Sequence, residues 1–337
     1  MAILSMSVGR ATVHDIETKL DALAANNFQG VELFYEDLEA LASKQDGGLT
    51  DDNRMKAARM IRRLCDERSI QIIALQPFGF YEGLLDRNTH EEHILKLKLW
   101  FRFVKILGTD TIEIPSQFLR EGVSGDEELI ISDLRKLADL GRQEMPPVRF
   151  AYEHMAWGTF VDTWEKAWNI VQKVDRSNFG ILLDTFQIGA SLCADPVATE
   201  VIAKDADTIL DDSLNRLVNT VDPRKVVYIQ VGDAEKPARP LIKGHEWYVD
   251  GQPAMMSWAR AARSFPNDTV GGCLPVARIT KALTHGLGFT GWMSCEVFSR
   301  RLMNPSPDVP ADAANRAAAG WKKLIEDLRL EDVRFRI

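Results

Sequence analysis

Four oxygen-bearing side chains each end an apolar run in the second half of the chain. Glu153 follows Phe-Ala-Tyr and Asp184 follows Ile-Leu-Leu. Gln230 follows Val-Val-Tyr-Ile, and Glu296 follows Met-Ser-Cys. If these runs are neighbouring parallel strands, their carboxyl ends meet at one edge of the sheet. Three carboxylates and one amide form an oxygen-only donor set that suits Mg²⁺ or Mn²⁺, so the sequence predicts a metal site on these four residues.

Each ligand candidate also has a plainer structural interpretation. A single Asp or Glu at a strand end is often a solvated rim residue or a helix cap, and Asp184-Thr185 has the composition of such a cap. Gln230 could instead bond a neighbouring loop. Three clustered carboxylates would repel one another, however, and a divalent cation removes that repulsion. Mn²⁺ or Mg²⁺ is the favoured ion, with Co²⁺ or Zn²⁺ as alternatives.

Short apolar runs alternate with helical patterns along the whole chain. Nearly continuous apolar runs are typical of parallel strands covered on both faces. Eight such units predict a (β/α)₈ TIM barrel, an α/β fold, as a single domain over residues 1–337, with an open doubly wound sheet as the alternative. The predicted strands are Ala2–Val8, Gly30–Phe34, Ile70–Leu75, Thr111–Ile114, Val148–Glu153, Phe179–Asp184, Lys225–Val231 and Gly291–Val297.

Local signals place some of the helix ends and one long loop. Asp195-Pro196 predicts a helix start, with aspartate as the cap and proline in the first turn. Met145-Pro146-Pro147 predicts a helix end before the fifth strand. The long loop after strand seven, Asp233 to Leu274, is predicted to be functional because long structured loops usually are, and in a barrel this one emerges at the catalytic face.

Composition and charge exclude several classes of protein. The formal net charge is −8 and the basic residues are scattered, so nucleic acid is not an expected partner. No stretch approaches the length of a membrane span, and the N-terminus has no signal-peptide pattern, so we expect a cytoplasmic protein with no membrane partner. The four cysteines form no CxxC pair, which argues against disulfides and a zinc ribbon. The helical faces of a barrel leave a homo-oligomer open.

One of the six histidines is a candidate for acid–base chemistry. His245 lies in the long loop, although it also has an ordinary interpretation as a loop residue. His154 directly follows Glu153 in a predicted strand, where adjacent side chains face opposite sides. We therefore expect His154 to point away from the metal site.

Over nearly its whole length the chain resembles the xylose-isomerase-like barrel superfamily, and within it the fungal-type 3-dehydroshikimate dehydratases. The resemblance implies the TIM barrel, a metal on Glu153, Asp184, Gln230 and Glu296, and dehydration of 3-dehydroshikimate to protocatechuate in quinate and shikimate breakdown. The most specific segments that carry it are WGTFVDTWEKAW (157–168), VDRSNFGILLDTFQI (174–188), YIQVGDAEKPARPLIKGHEWY (228–248) and MSWARAARSF (256–265).

The resemblance also implies residues that bind the substrate. A segment of the SWSRxxR type contacts the substrate carboxylate in this family, and it corresponds here to Ser257, Arg260 and Arg263. An arginine pair suits a planar carboxylate because it donates two parallel hydrogen bonds. A surface salt bridge is the plainer interpretation of these arginines.

The catalytic base does not carry over from the family. Bacterial relatives often have histidines where this sequence has Met155 and Gln187. Gln187 cannot act as a base, but it could orient the substrate. The candidates that remain are Glu153, Glu296 and His245.

Three other functions are alternatives. A sugar or hydroxypyruvate-type isomerase of the same superfamily would use the same metal, but a neutral sugar does not need two arginines. An endonuclease IV-like repair enzyme shares the barrel, yet such sites use three zinc ions and many histidines. A non-catalytic barrel would be expected to lack metal ligands, and none of the four is missing here.

Overall fold

The computed structural model describes residues 1–330, and its centre is a closed barrel of eight parallel strands. The expected domain of residues 1–337 also includes 331–337, which lie outside the described residues. The barrel strands are β1 (Ala2–Leu4), β2 (Gly30–Phe34), β3 (Gln71–Gln76), β4 (Thr111–Pro115), β5 (Arg149–Glu153), β6 (Phe179–Asp184), β7 (Val226–Val231) and β10 (Met293–Cys295). Two short strands, β8 (Asp233–Ala234) and β9 (Arg263–Ser264), form a separate antiparallel pair.

Eleven α-helices occur in the described residues, and most of them alternate with the barrel strands. None is both long and apolar enough to cross a membrane. The helices are α1 (Ile16–Ala25), α2 (Tyr35–Ser43), α3 (Asp51–Glu67), α4 (Arg87–Leu107), α5 (Glu127–Arg142), α6 (Trp164–Val174), α7 (Thr185–Cys193), α8 (Ala206–Thr220), α9 (Ala254–Ala262), α10 (Val276–Lys281) and α11 (Val309–Leu328).

The strand order confirms the predicted TIM barrel. Going around the barrel the order is β1-β10-β7-β6-β5-β4-β3-β2, which closes the sheet. Asp184 on β6 pairs with Gln230 on β7, and Gln230 pairs in turn with Ser294 on β10. This register brings the carboxyl ends of the last three barrel strands to nearly the same level.

Alternation along each strand separates the barrel interior from the helix layer. Leu182 and Tyr228 belong to a small apolar cluster distinct from the main core, whereas Leu183 and Ile229 belong to the main core between sheet and helices. Side chains two residues apart share a face of a strand. Asp184, two residues after Leu182, therefore projects into the same interior. It lies above the small apolar cluster that contains Leu182 and Tyr228.

Three of the local sequence predictions need correction. The first predicted strand ends at Leu4, because Ser5–Val8 form a 3₁₀ turn. The last barrel strand is shorter than Gly291–Val297. Asp195-Pro196 does not start a helix, because the Asp195 amide donates to Val201 O and so closes a short antiparallel contact instead; α8 starts only at Ala206.

Two other sequence features have the predicted outcome. Helix α5 ends at Arg142, before Met145-Pro146-Pro147 and the fifth strand. The long segment after β7 is structured, since it contains β8, α9 and β9. Because β8 comes directly after β7, its pairing with β9 brings Arg263 back to the carboxyl end of the barrel.

Candidate active site

The carboxyl end of the barrel holds a ring of buried polar side chains. The four predicted ligands belong to it: one oxygen each from Glu153, Asp184 and Glu296 lies within 4.8 Å of the others, and Gln230 donates to Glu296 at 2.9 Å. The structure therefore brings together the four residues that the sequence singled out. The full ring is Glu32, Gln76, Glu113, Glu153, Asp184, Gln230 and Glu296, and each of these residues is at most 3% exposed.

Asp184 combines two of the roles considered from the sequence. It caps α7, with one carboxylate oxygen accepting from the Phe186 amide at 2.8 Å. Its other oxygen accepts from Arg263 at 2.6 Å inside the ring. The cap fixes the orientation of the carboxylate, since a side chain bonded to its own helix start loses its rotational freedom.

Arg263 lies against the carboxylates rather than free in the cavity. Its two terminal nitrogens donate to Asp184 and Glu296, each at 2.6 Å, and the guanidinium stacks 4.5 Å from the Phe186 ring centre. Gly232 makes this close approach possible, because a Cβ there would lie 2.8 Å from the Arg263 Nη2. The expectation that Arg263 binds the substrate carboxylate does not fit this position, since both terminal nitrogens are occupied by the ring.

The ring carries more negative charge than its buried partner can balance. Arg263 is the one cation within residues 1–330 that forms salt bridges with these carboxylates. Desolvation raises the pKa of Glu296 to about 8, and it also raises the pKa of each of the other carboxyls in the ring. Repulsion between neighbouring carboxylates adds to the effect at Glu153 and Glu113. The carboxyls with raised pKa are Glu32, Glu113, Glu153, Asp184 and Glu296.

Unpaired oxygens in the ring fit a divalent cation. Glu153 Oε1 and Gln230 Oε1 are buried and have no hydrogen-bond partner among the described residues. The amide nitrogen of Gln230 donates to both Glu32 and Glu296 at 2.9 Å, which fixes the amide so that its oxygen remains free. A buried acceptor without a donor is costly, and a metal ion satisfies it. The donor set therefore fits the predicted ion.

A cavity of about 250 Å³ opens above the ring. Its floor includes Glu153 and Glu296, and its wall carries the three arginines Arg10, Arg260 and Arg263. Aromatic side chains surround the remaining space, namely Phe34, Phe118, Trp157 and Phe298. The cavity thus combines an acidic floor, a cationic wall and flat apolar surfaces, which suits a small ring-shaped anion.

Two of the predicted substrate-binding residues line this cavity in usable positions. Gln187 is buried, and its Oε1 accepts from the Ala156 amide at 2.8 Å. Its amide nitrogen donates one N–H to the Met155 sulfur at 3.6 Å, which leaves the second N–H for a ligand in the cavity. Arg260 lies on the wall and forms no salt bridge within residues 1–330.

Two other predicted residues do not reach the cavity. Ser257 is buried in α9, and its hydroxyl is not part of the cavity lining in the described residues. His245 is likewise absent from the lining, and its Nδ1 accepts from the Trp247 amide at 3.0 Å while the two rings lie 5.0 Å apart. This local turn uses the histidine to order its own loop, so the structure does not bring His245 to the carboxylates.

The sequence contained a signal for three ring members that were missed. Glu32 and Glu113 are the charged residues of β2 and β4, and Gln76 closes β3 one residue beyond the end predicted for that strand. Gln76 donates to Glu32 at 2.7 Å and to Glu296 at 3.2 Å, which links the first half of the barrel to the second. A polar residue within or just after an apolar run was the available signal, although Gln71 and Thr111 in the same strands match it equally well.

Comparison with known proteins supplies the family. Residues 20–326 match the family described as xylose isomerase-like TIM barrel. The chain belongs to this family. A solved xylose isomerase-like TIM barrel/4-hydroxyphenylpyruvate dioxygenase fusion protein superposes with a TM-score of 0.72 at 25% identity, covering 100% of this chain and 44% of that one.

Two relatives of this chain confirm the resemblance found in the sequence. A 3-dehydroshikimate dehydratase from Neurospora crassa is 45% identical over 98% of this chain and 94% of its own length. A 3-dehydroshikimate dehydratase from Pseudomonas aeruginosa is 30% identical over 83% of this chain, but the match spans only 36% of the bacterial protein.

Proposed function

We propose that this chain is a lyase that removes water from 3-dehydroshikimate to give protocatechuate, using a divalent metal ion. The observation that carries the proposal is the similarity, over nearly the full length of both chains, to the Neurospora crassa 3-dehydroshikimate dehydratase. The cavity is consistent with it, because the substrate is a small ring with one carboxylate. The reaction removes one proton beside the ketone and one hydroxide from the next carbon, which together make one water. The ring becomes aromatic when a second ring proton leaves its carbon and the former ketone oxygen gains a proton to become a phenol.

The metal ion belongs on Glu153, Asp184, Gln230 and Glu296. Their oxygens are the hard donors that Mn²⁺ and Mg²⁺ prefer, and the free oxygens of Glu153 and Gln230 support this assignment. An ion held by these four residues would supply Lewis-acid chemistry next to the substrate ketone. Gln76 supports the ring from outside this set by donating to Glu296.

Glu153 is the best-placed base for removing the proton beside the ketone. It lines the cavity, and its carboxylate has two oxygens, so one can coordinate the ion while the other takes the proton. Glu296 is less suited to be the base, because its oxygens already accept hydrogen bonds from Arg263, Gln76 and Gln230. Proton removal by a positioned carboxylate of raised pKa is effective near neutral pH.

The remaining lining residues bind and orient the ring. Arg260 offers an unengaged guanidinium for the substrate carboxylate. The amide nitrogen of Gln187 can donate to a ring hydroxyl, since its oxygen is held by the Ala156 amide. Phe298 and Trp157 supply apolar walls that exclude water from the reacting carbons.

A substrate comparison tests this function against the isomerase alternative. The protein loaded with Mn²⁺ is incubated with 3-dehydroshikimate, with hydroxypyruvate and with a neutral ketose, and the products are identified by chromatography. We expect protocatechuate from the first and no turnover of the other two. A neutral ketose leaves the cationic wall unsatisfied, and hydroxypyruvate has a carboxylate but no ring to fill the space between the aromatic side chains. Isomerisation of a sugar without any protocatechuate would contradict the proposal.

A matched pair of variants locates the chemistry. Glu153→Gln keeps an oxygen donor but removes the base, and we expect kcat to fall at least about 100-fold. Glu82→Gln removes another buried carboxyl that does not line the cavity, so its kcat should stay near the wild-type value. Equal losses in both variants would indicate a general structural effect and would count against Glu153 as the base.

A further inference from the structure

Arg10 is a cationic residue of the cavity wall that lies outside the proposed metal ligands and outside the residues assigned to the substrate above. It follows the Ser5–Val8 turn at the carboxyl end of β1, where a barrel active site is built. It lines the same cavity as Arg260, and its side chain is 31% exposed. A half-buried arginine that faces a ligand cavity is placed to meet a bound anion.

The backbone around Arg10 is held by a buried ion pair. Lys19 is fully buried and donates to the carbonyl of Gly9 at 2.8 Å, while its ammonium lies 2.5 Å from Asp37. The Arg10 amide donates to Leu302 O at 3.1 Å. A buried ion pair is expensive in stability, and here it fixes the residue next to Arg10. The position of Arg10 on the wall is therefore preorganised.

The guanidinium of Arg10 is only loosely engaged. One terminal nitrogen lies 3.3 Å from each oxygen of Glu36, longer than the usual distance in an arginine–carboxylate pair. Its Nε is buried and has no hydrogen-bond partner among residues 1–330. A buried donor without an acceptor is rare in folded proteins and marks a place where a ligand atom belongs.

Arg10, Arg260 and Glu36 line the same cavity. Glu36 pairs with Arg10, whereas Arg260 forms no salt bridge within residues 1–330. Desolvation lowers the pKa of Arg260, and the charge of Arg10 lowers it further, as expected for two cations on one wall. Two cations against one anion leave an excess positive charge on this wall.

We propose that Arg10 is the second arginine of the substrate-carboxylate site, acting with Arg260, and that Glu36 holds Arg10 only while the site is empty. Arg263 is less well placed for this role: its Nε is also buried without a hydrogen-bond partner in the described residues, but its two terminal nitrogens already donate to Asp184 and Glu296. The incoming carboxylate replaces Glu36 on Arg10 and satisfies the free Nε. This inference rests on the proposed function, since it assigns a residue to the binding of the same substrate.

Variants at the two partners have opposite expected effects. Arg10→Gln should raise KM for 3-dehydroshikimate about 10- to 100-fold with kcat within about 3-fold, because a charge-assisted hydrogen bond is lost at a step before chemistry. The KM of Arg10→Lys should fall between those of Arg10→Gln and the wild type, since lysine keeps the positive charge but cannot donate two parallel hydrogen bonds. Glu36→Gln should lower KM, because it removes the competing anion. Arg224→Gln is the control, since that arginine is 88% exposed and paired with Asp222.

A binding measurement keeps the inference separable from turnover. Calorimetry compares protocatechuate with catechol, which lacks the carboxylate, on Mn²⁺-loaded protein. Arg10→Gln should lose affinity for protocatechuate and keep its affinity for catechol. An unchanged KM for 3-dehydroshikimate in Arg10→Gln, or an equal loss of affinity for protocatechuate and catechol, would overturn the role of Arg10 alone. Wild-type protein that neither turns over 3-dehydroshikimate nor binds protocatechuate would overturn the proposed function and this inference together.

Discussion

Arg263 Nη2 donates to Asp184 Oδ2 at 2.6 Å, and both side chains are almost completely buried. The contact joins the segment after β7 to the carboxyl end of β6. It also places a permanent positive charge beside the carboxylates that we propose as metal ligands. The segment is thus tied to the ring by charge as well as by the β8–β9 pairing.

Replacing Arg263 should make the fold depend on the metal ion. Arg263→Gln leaves buried carboxylates without their cation, and we expect a loss of about 3–5 kcal/mol in the metal-free protein. Added Mn²⁺ should recover part of this loss, since the ion supplies positive charge at the same place. Chemical denaturation with and without Mn²⁺ measures both quantities. A variant as stable as the wild type without metal would show that the ion pair has no net structural value.

Metal binding should release protons at neutral pH. Burial raises the pKa of Glu296 to about 8 and raises the pKa of the neighbouring carboxyls, so part of the ring is protonated at pH 7 when no cation is present. A divalent ion displaces those protons. We expect calorimetric titrations with Mn²⁺ in buffers of different ionisation enthalpy to show proton release at pH 7 and less above pH 8. Affinity should rise with pH over the same range, and proton uptake would be the opposite of the expected sign.

Glu82 should make stability fall as pH rises toward neutrality. Desolvation raises its pKa from 4.5 to about 7 in the folded state, even though its Oε1 accepts from the Gln117 amide and the Tyr152 hydroxyl. The folded state therefore holds this proton more tightly than the unfolded state. The stabilisation of the folded state by this proton is fully present below pH 4.5. It is lost as the pH rises through 7 and amounts to about 3 kcal/mol at most.

Glu82→Gln isolates this effect from that of the other buried carboxyls. The amide keeps an oxygen acceptor for the Gln117 amide but does not titrate. The difference in unfolding free energy between variant and wild type should move in favour of the variant between pH 5 and pH 8. Urea denaturation at a series of pH values gives that difference, and a constant difference would contradict the assigned pKa.

Gly232 should tolerate no side chain. A Cβ there would lie 2.5 Å from the carbonyl of Glu296, a backbone atom that cannot move aside cheaply. We expect Gly232→Ala to cost about 1–3 kcal/mol and to weaken Mn²⁺ binding, because overpacking displaces the ring. Gly189→Ala is the matched control, since its new Cβ would have ordinary contacts of 3.4 Å or more. Thermal unfolding and a metal titration of both variants test the difference.

The barrel and the four predicted ligands could be found from sequence because their signals are local. Phe179–Asp184 was predicted with the bounds that the structure has, since a buried parallel strand is a short apolar run. Asp184 and Gln230 lie at the ends of such runs, and the parallel register then brings them side by side. The end of a strand was harder to predict where a turn follows directly. The first strand was predicted to reach Val8, but Ser5–Val8 form a 3₁₀ turn.

The cationic residues could not be placed from sequence, because their positions depend on how a long segment folds back. Arg263 and Arg260 are three residues apart, yet one lies against the ring and the other on the cavity wall. That difference arises because α9 ends at Ala262 and Arg263 begins the extended β9 strand. Arg10 belongs to a turn whose path is fixed by Lys19 and Asp37, a contact between residues distant in sequence.

Dehydration of 3-dehydroshikimate at the ring of carboxylates should depend on the metal ion. The most direct test follows the ultraviolet absorbance of protocatechuate while metal-stripped protein is incubated with 3-dehydroshikimate, with and without Mn²⁺ or Mg²⁺. We expect product only with the ion, and none from Glu296→Gln under the same conditions. Folded wild-type protein that forms no protocatechuate with any divalent ion, or forms it equally well after the ion is removed, would contradict the account.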